Sequence, residues 1–146
     1  MKIFVASSWK NREKVREMSI RLRRGGHRVY DFTDPSCRKV PETPPEVNAE
    51  EFDPEKHKYS EYLKNLKGLY ASVMNNQEAL RWCELCILLL PCGMDAHADW
   101  AYALGYGKDT LVVGQPRKGE RAPVHMWADR VIDDVDDVYK YIKENY

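Results

Sequence analysis

The chain has 146 residues, 43% hydrophobic and 32% charged, and its 23 basic residues are offset by 23 acidic ones to a formal net charge of zero. That length suits one domain, 1–146, with room for a core, and the balanced charge gives no basic excess to attract polymeric nucleic acid, which is not an expected partner. No apolar run approaches the roughly 18 residues of a membrane span, no polybasic tract suits a membrane surface, and MKIFVASSWK is too short for a secretory signal, so a cytoplasmic location is the default expectation.

Lys2 to Ala6 reads as a short apolar strand, followed by Ser7, Ser8, Trp9, Lys10 and Asn11. Val15, Met18 and Leu22 then recur at helical spacing through Arg12 to Arg24, and Gly25-Gly26 stops the helix. Ser7, Ser8 and the free N–H groups of the helix start can take an anion or a sugar hydroxyl, or one serine can simply cap the helix. His27 to Phe32 is a second strand, with Asp31 and Phe32 at its carboxyl end, and Asp34-Pro35 is turn chemistry.

Periodicity is lost over residues 36–58, where Pro41, Pro44, Pro45 and Pro54 sit among many charges. A stretch of that length is expected to be a functional lid or disordered. Phe52, Trp9 and Phe32 can stack on a base or serve as plain packing. Tyr59 to Glu84 is helical, in two pieces broken near Gly68, with Leu63, Leu66, Val73, Leu80 and Cys83 as apolar positions and Asn76 within it.

Leu85 to Leu90 is an uninterrupted apolar run, the pattern of a strand buried on both faces at the centre of a parallel sheet. Pro91, Cys92 and Gly93 end it, and Asp95 can cap the next helix. Along that helix Ala98, Ala101, Tyr102 and Gly105 fall on one stripe of mostly small residues, expected to lie against the sheet. Gly105 and Gly107 end the helix, and Thr110 to Val113 is another buried strand. A last short strand is expected over Ala128 to Ile132, and Val135, Val138, Tyr139 and Ile142 mark a closing helix.

Strands alternating with helices imply an α/β fold: a doubly wound, mainly parallel sheet of about five strands with helices on both faces, in flavodoxin-like order. In such a sheet the ligand crevice lies beyond the carboxyl ends of the strands, so Cys92 to Asp99 should line it, with Asp31 within reach. Asp95 and Asp99 can instead be helix-capping acids. Of the four cysteines, Cys37, Cys83, Cys86 and Cys92, one pair is spaced C-x-x-C but straddles a helix end and a strand, so core thiols are expected and no metal or cofactor. Cys92, at the strand end, is the exception, a nucleophile if His97 lowers its pKa.

PCGMDAHADWAYALGYGK resembles the segment of the nucleoside 2-deoxyribosyltransferase-like family that carries an acidic nucleophile on a small-residue helix. IFVASSWKN, HRVYDFTDP and EALRWCELCILLLP resemble the family's other segments in the same order, so the likeness spans most of the chain outside 36–58. His97 falls on the family's histidine, and Asp99 on a glutamate. The resemblance implies an enzyme that cleaves or transfers the N-glycosidic bond of a (deoxy)nucleoside or its 5′-monophosphate, with Asp99 as nucleophile and His97 as neighbouring acid/base. It places Ser7, Ser8, Trp9, Asp31, Phe32, Asn76, Cys92 and Gly93 around the substrate, makes 36–58 a flap, and suggests a homodimer or higher homo-oligomer. Asn76 stands at a position acidic in many relatives, and Asp99 is one methylene shorter than glutamate. Those departures keep open a catalytically degenerate nucleotide-binding module on the same fold, and a TIR-like NAD-cleaving enzyme is the remaining alternative.

Overall fold

The computed structural model describes residues 1–40 and 52–146, except the side chains of residues 65 and 67–69; the middle of the expected lid, 41–51, lies outside the described residues. Strands β1 (Lys2–Ala6), β2 (Arg28–Tyr30), β3 (Leu85–Leu89), β4 (Asp109–Val113) and β5 (Arg130–Ile132) form a five-stranded sheet in the order β2-β1-β3-β4-β5, every pair parallel. This is the doubly wound, flavodoxin-like arrangement expected. The most apolar run takes the centre: every residue of β3 is fully buried, flanked by Ile3, Phe4 and Val5 of β1 and Leu111, Val112 and Val113 of β4.

Among the described residues five α-helices connect and close the sheet: α1 (Arg12–Arg24), α2 (Tyr59–Asn65), α3 (Lys67–Trp82), α4 (Met94–Gly105) and α5 (Asp137–Asn145). Right-handed crossovers to opposite sides of β1 and β3 set α1 on one face and α3 and α4 on the other. Beside α1 lies α5, joined to it by the Arg21–Asp136 ion pair and by the Arg21 guanidinium 3.8 Å from the Tyr139 ring centre. The break in the long helical stretch falls at Leu66, two residues before Gly68.

Two glycines end helices in the left-handed conformation that closes a Schellman motif. After α1, Gly26 (φ +87°) donates to the Arg23 carbonyl while His27 reaches back to Leu22. After α4, Gly107 (φ +68°) and Lys108 do the same with Leu104 and Ala103.

The stripe of α4 that meets the sheet differs from the expected one. Ala96, Trp100 and Ala103 are buried, whereas Ala98 and Gly105 are exposed and Tyr102 is only half-buried. Two stripes of small residues run along this helix, and Trp100, fully buried and the largest such side chain, decides between them by its volume. The other stripe is left for the crevice. Likewise, on α2 and α3 the core takes Ala79, Leu80 and Cys83, while Leu63, Leu66 and Val73 face a cavity.

Candidate active site

A cavity of about 820 Å³ opens at the carboxyl ends of β1, β2 and β3, the position the sheet topology dictates. Ser7, Ser8 and Trp9 come to it from the end of β1, Phe32 from beyond β2, and Gly93 from the turn after β3. Leu63, Leu66, Tyr70 and Val73 form an apolar wall from α2 and α3, and α4 contributes Asp95, Ala98, Asp99 and Tyr102. Trp9 and Phe32 meet edge to face, ring centres 5.4 Å apart.

Asp99 is the enclosed acid of this cavity. Its Oδ2 accepts a hydrogen bond of 2.9 Å from the Asn76 amide, which in turn accepts one of 3.1 Å from the Tyr30 hydroxyl. Burial pushes the Asp99 carboxyl up from 3.8 to about 7; the Asn76 bond opposes that rise and the charge of Asp95 adds to it. Asp95, four residues earlier, shares the cavity face of α4. It does not cap the helix: Gly93 is the N-cap residue, and no side chain bonds the helix start. Nor is Asp99 a cap, since it lies in the second turn.

Each remaining predicted residue has a definite place. The Ser7 hydroxyl lines the cavity but also staples the ends of β1 and β3, donating to the Leu89 carbonyl at 2.8 Å and accepting from Asn11 Nδ2 at 3.2 Å. Asn11 donates as well to the Pro91 carbonyl, a structural role that sequence reading missed. Ser8 caps the short turn Trp9–Asn11, its hydroxyl accepting from the Lys10 N–H at 3.2 Å.

Three expected residues do not line the cavity. Asp31 is buried and folded back on its own turn, its Oδ1 accepting from the Thr33 N–H at 2.8 Å and the Thr33 hydroxyl at 2.7 Å. Cys92 is also buried, and burial pushes its thiol up to about 12, which opposes a thiolate role. His97 points away from the cavity because residues two apart on a helix do not share a face. Its Nδ1 lies 2.9 Å from the Gly93 carbonyl and 3.5 Å from Cys92 Sγ, and its Nε2 lies 2.9 Å from His125 Nε2. A carbonyl only accepts, so the His97 proton sits on Nδ1 and His125 donates from Nε2. Both nitrogens of His97 are thus occupied within the protein, which corrects the expectation of an acid/base partner beside Asp99. His125 belongs to the turn Pro123–Trp127, whose place the sequence left open.

Phe52 does not line the cavity either; it sits among Tyr59 and Tyr62, with ring centres 5.2 Å away in each case. Cys37, Cys83, Cys86 and Cys92 are all free thiols. Among the described residues no group of three or more His, Cys, Asp or Glu side chains could hold a metal ion, and no helix is long and apolar enough to cross a membrane.

No protein-family profile matches the chain, and no curated protein does. Among solved structures it is similar to a 2-deoxyribosyltransferase from the psychrotolerant bacterium Bacillus psychrosaccharolyticus, described as a suitable biocatalyst for the industrial synthesis of antiviral and antitumoral nucleosides. The two superpose with a TM-score of 0.60 over 100% of this chain and 92% of the other, at 18% identity. The fold is that of a 2-deoxyribosyltransferase. At that identity the likeness speaks for the fold, and the chemistry has to come from the side chains in the cavity.

Proposed function

We propose that this protein cleaves or transfers the N-glycosidic bond of a nucleoside, with Asp99 as the nucleophile. The observation that carries the reading is a largely buried carboxylate, held by an amide, on the wall of a cavity large enough to admit a nucleoside, at the ligand-binding end of a 2-deoxyribosyltransferase fold. In the reaction an Asp99 oxygen bonds to the anomeric carbon as the bond from that carbon to the base nitrogen breaks. The base leaves with the electron pair and takes up a proton. The resulting glycosyl ester is then opened by water, giving hydrolysis, or by a second base, giving transfer. Trp9 and Phe32 supply aromatic surface for the base, and Asp95 and the serine hydroxyls supply acceptors for sugar hydroxyls.

The cavity lining favours a free nucleoside over a 5′-monophosphate. Two carboxylates line it and, among the described residues, no lysine, arginine or histidine does. Among the described residues no cation would offset the charge of a phosphate group beside Asp95 and Asp99. Arg38, whose guanidinium lies 6.0 Å from the Trp9 ring centre, is engaged with the Phe32 carbonyl at 3.0 Å.

A homo-oligomer is part of the reading: Tyr70, Val73 and Met74 expose apolar surface on α3, and sedimentation of the purified chain tests it. The main test is incubation with deoxynucleosides, their 5′-monophosphates and NAD, following free base by chromatography. Base release from deoxynucleosides that disappears in Asp99→Asn is expected. Full activity in that variant would remove the nucleophile assignment, and nucleotide binding without base release from any compound would favour the degenerate module.

A further inference from the structure

We propose that Tyr30 is a positioning residue for Asp99: its hydroxyl holds the Asn76 amide in the orientation that turns the NH2 group, and not the carbonyl oxygen, toward the carboxylate. The inference rests on Asp99 acting as an anion in the reaction above.

A primary amide has two ends of nearly equal shape and opposite hydrogen-bonding character. Turned one way, Asn76 donates to an ionised Asp99; turned the other, it sets a carbonyl oxygen against the carboxylate and suits only the protonated acid. Nothing in the shape of the pocket distinguishes the two, so the partner on the far end of the amide decides. That partner is a phenol, whose oxygen lone pair is drawn into the ring and whose hydroxyl is therefore a better donor than acceptor. Tyr30 donates to Asn76 Oδ1 at 3.1 Å, which leaves Nδ2 to face Asp99 Oδ2 at 2.9 Å.

Tyr30 is itself well fixed. It lies on β2, is 6% exposed, and stacks on Phe4 of β1 with ring centres 5.1 Å apart and planes 11° apart. The rotation of α3 is fixed independently by the neighbouring Asn75, whose amide accepts from the Lys39 and Val40 N–H groups at 3.0 Å and donates to the Val40 carbonyl at 2.8 Å. Three elements, β2, α3 and α4, thus meet along one hydrogen-bonded chain that ends on the carboxylate. Among the described residues the titratable groups that bear on Asp99 are Asp95 of its own helix and the Cys86 thiol of β3, and the charge of Asp95 disfavours the anion. Asn76 is the contact that favours it, and a donor behind an amide polarises that amide into a stronger donor.

The test is a titration of the Asp99 carboxyl by NMR in protein labelled at the aspartate carboxyl carbons, which needs no substrate. Asn76→Ala should raise the Asp99 pKa by about one pH unit, and Tyr30→Phe, which keeps the stacked ring, by roughly 0.1 to 0.3 unit. The double variant should show no more than the Asn76→Ala shift, because Tyr30 acts through Asn76. Replacing Tyr30 with 3-fluorotyrosine, a stronger donor of almost the same size, should move the pKa the opposite way. If base release is found, Tyr30→Phe should move the acidic limb of kcat upward by the same amount and leave KM unchanged. An Asp99 pKa that is unaltered or lowered in Tyr30→Phe, or a Tyr30→Phe shift that persists without Asn76, overturns the proposal. Absence of base release from every compound would remove the nucleoside reading, while the titration would still decide the role of Tyr30.

Discussion

Asp99→Asn should stabilise the protein in alkaline solution and do so only there. The carboxyl is raised from 3.8 to about 7, so between those values the folded chain keeps a proton that the unfolded chain has lost. Native stability therefore falls as pH rises from about 4 and levels off above about 7. At about 1.4 kcal/mol per pH unit, the full penalty is slightly above about 4 kcal/mol. Water in the open cavity reduces it, so the expected range is roughly 2 to 4 kcal/mol. Asparagine has nearly the same shape, can still accept from Asn76, and carries no charge, so the variant escapes the penalty. For a chain of this size a kcal/mol is worth roughly 3 °C in Tm, which puts the gain near 10 °C at about pH 8 and close to nothing at about pH 4. Urea and thermal unfolding of both proteins across that range measure it. A difference that stays constant with pH would refute the assignment of a raised carboxyl to position 99.

Asp99→Glu extends the carboxylate by about 1.5 Å, one carbon–carbon bond. If the shorter side chain limits attack, base release should rise, by as much as roughly a hundredfold; a loss as deep as that of Asp99→Asn would mean that the cavity has closed around aspartate. Trp100→Ala removes the largest fully buried side chain and should cost about 3 to 5 kcal/mol, read by chemical denaturation. A cost below about 1 kcal/mol would contradict the docking of α4 through that residue. Iodoacetamide near neutral pH should leave native Cys83, Cys86 and Cys92 unmodified, since burial pushes Cys83 up to about 11, Cys92 up to about 12 and Cys86 well above its usual range. Rapid labelling of Cys92, followed by mass spectrometry, would return it to the list of nucleophiles.

The sheet was legible in the sequence because strands covered on both faces read as unbroken apolar runs, and helices between them leave little freedom of order. Loop ends of such a sheet gather at one edge, so Cys92 to Asp99 and Asp31 were expected there, and the family resemblance added Ser7, Ser8, Trp9 and Phe32; those four line the cavity with Gly93 and Asp99, whereas Asp31 and Cys92 do not. What failed was rotation. Two stripes of small residues compete along α4, and only the volume of Trp100 says which meets the sheet. Asn75 and Asn76 are adjacent amides about 100° apart around one helix, and no propensity tells which grips residues 39 and 40 and which faces Asp99. For His97 the signal was present. Side chains two apart on a helix diverge, so His97 and Asp99 could not both enter one cavity, whereas Asp95 and Asp99, four apart, could.

The same geometry bears on the choice between an enzyme and a binding module. A module that only holds a nucleoside could satisfy Asn76 with asparagine at position 99, keep the hydrogen bond, and avoid the cost of an enclosed charge. This chain instead has a carboxyl at that point, with an amide turned toward it and a tyrosine behind the amide. Groups that cost a fold stability are characteristically found where a reaction needs them. A variant at position 99 that gains stability above neutral pH and loses base release would show one side chain bearing both effects, whereas a gain in stability with nucleoside binding intact and no base release from either protein would leave the carboxyl without a chemical role.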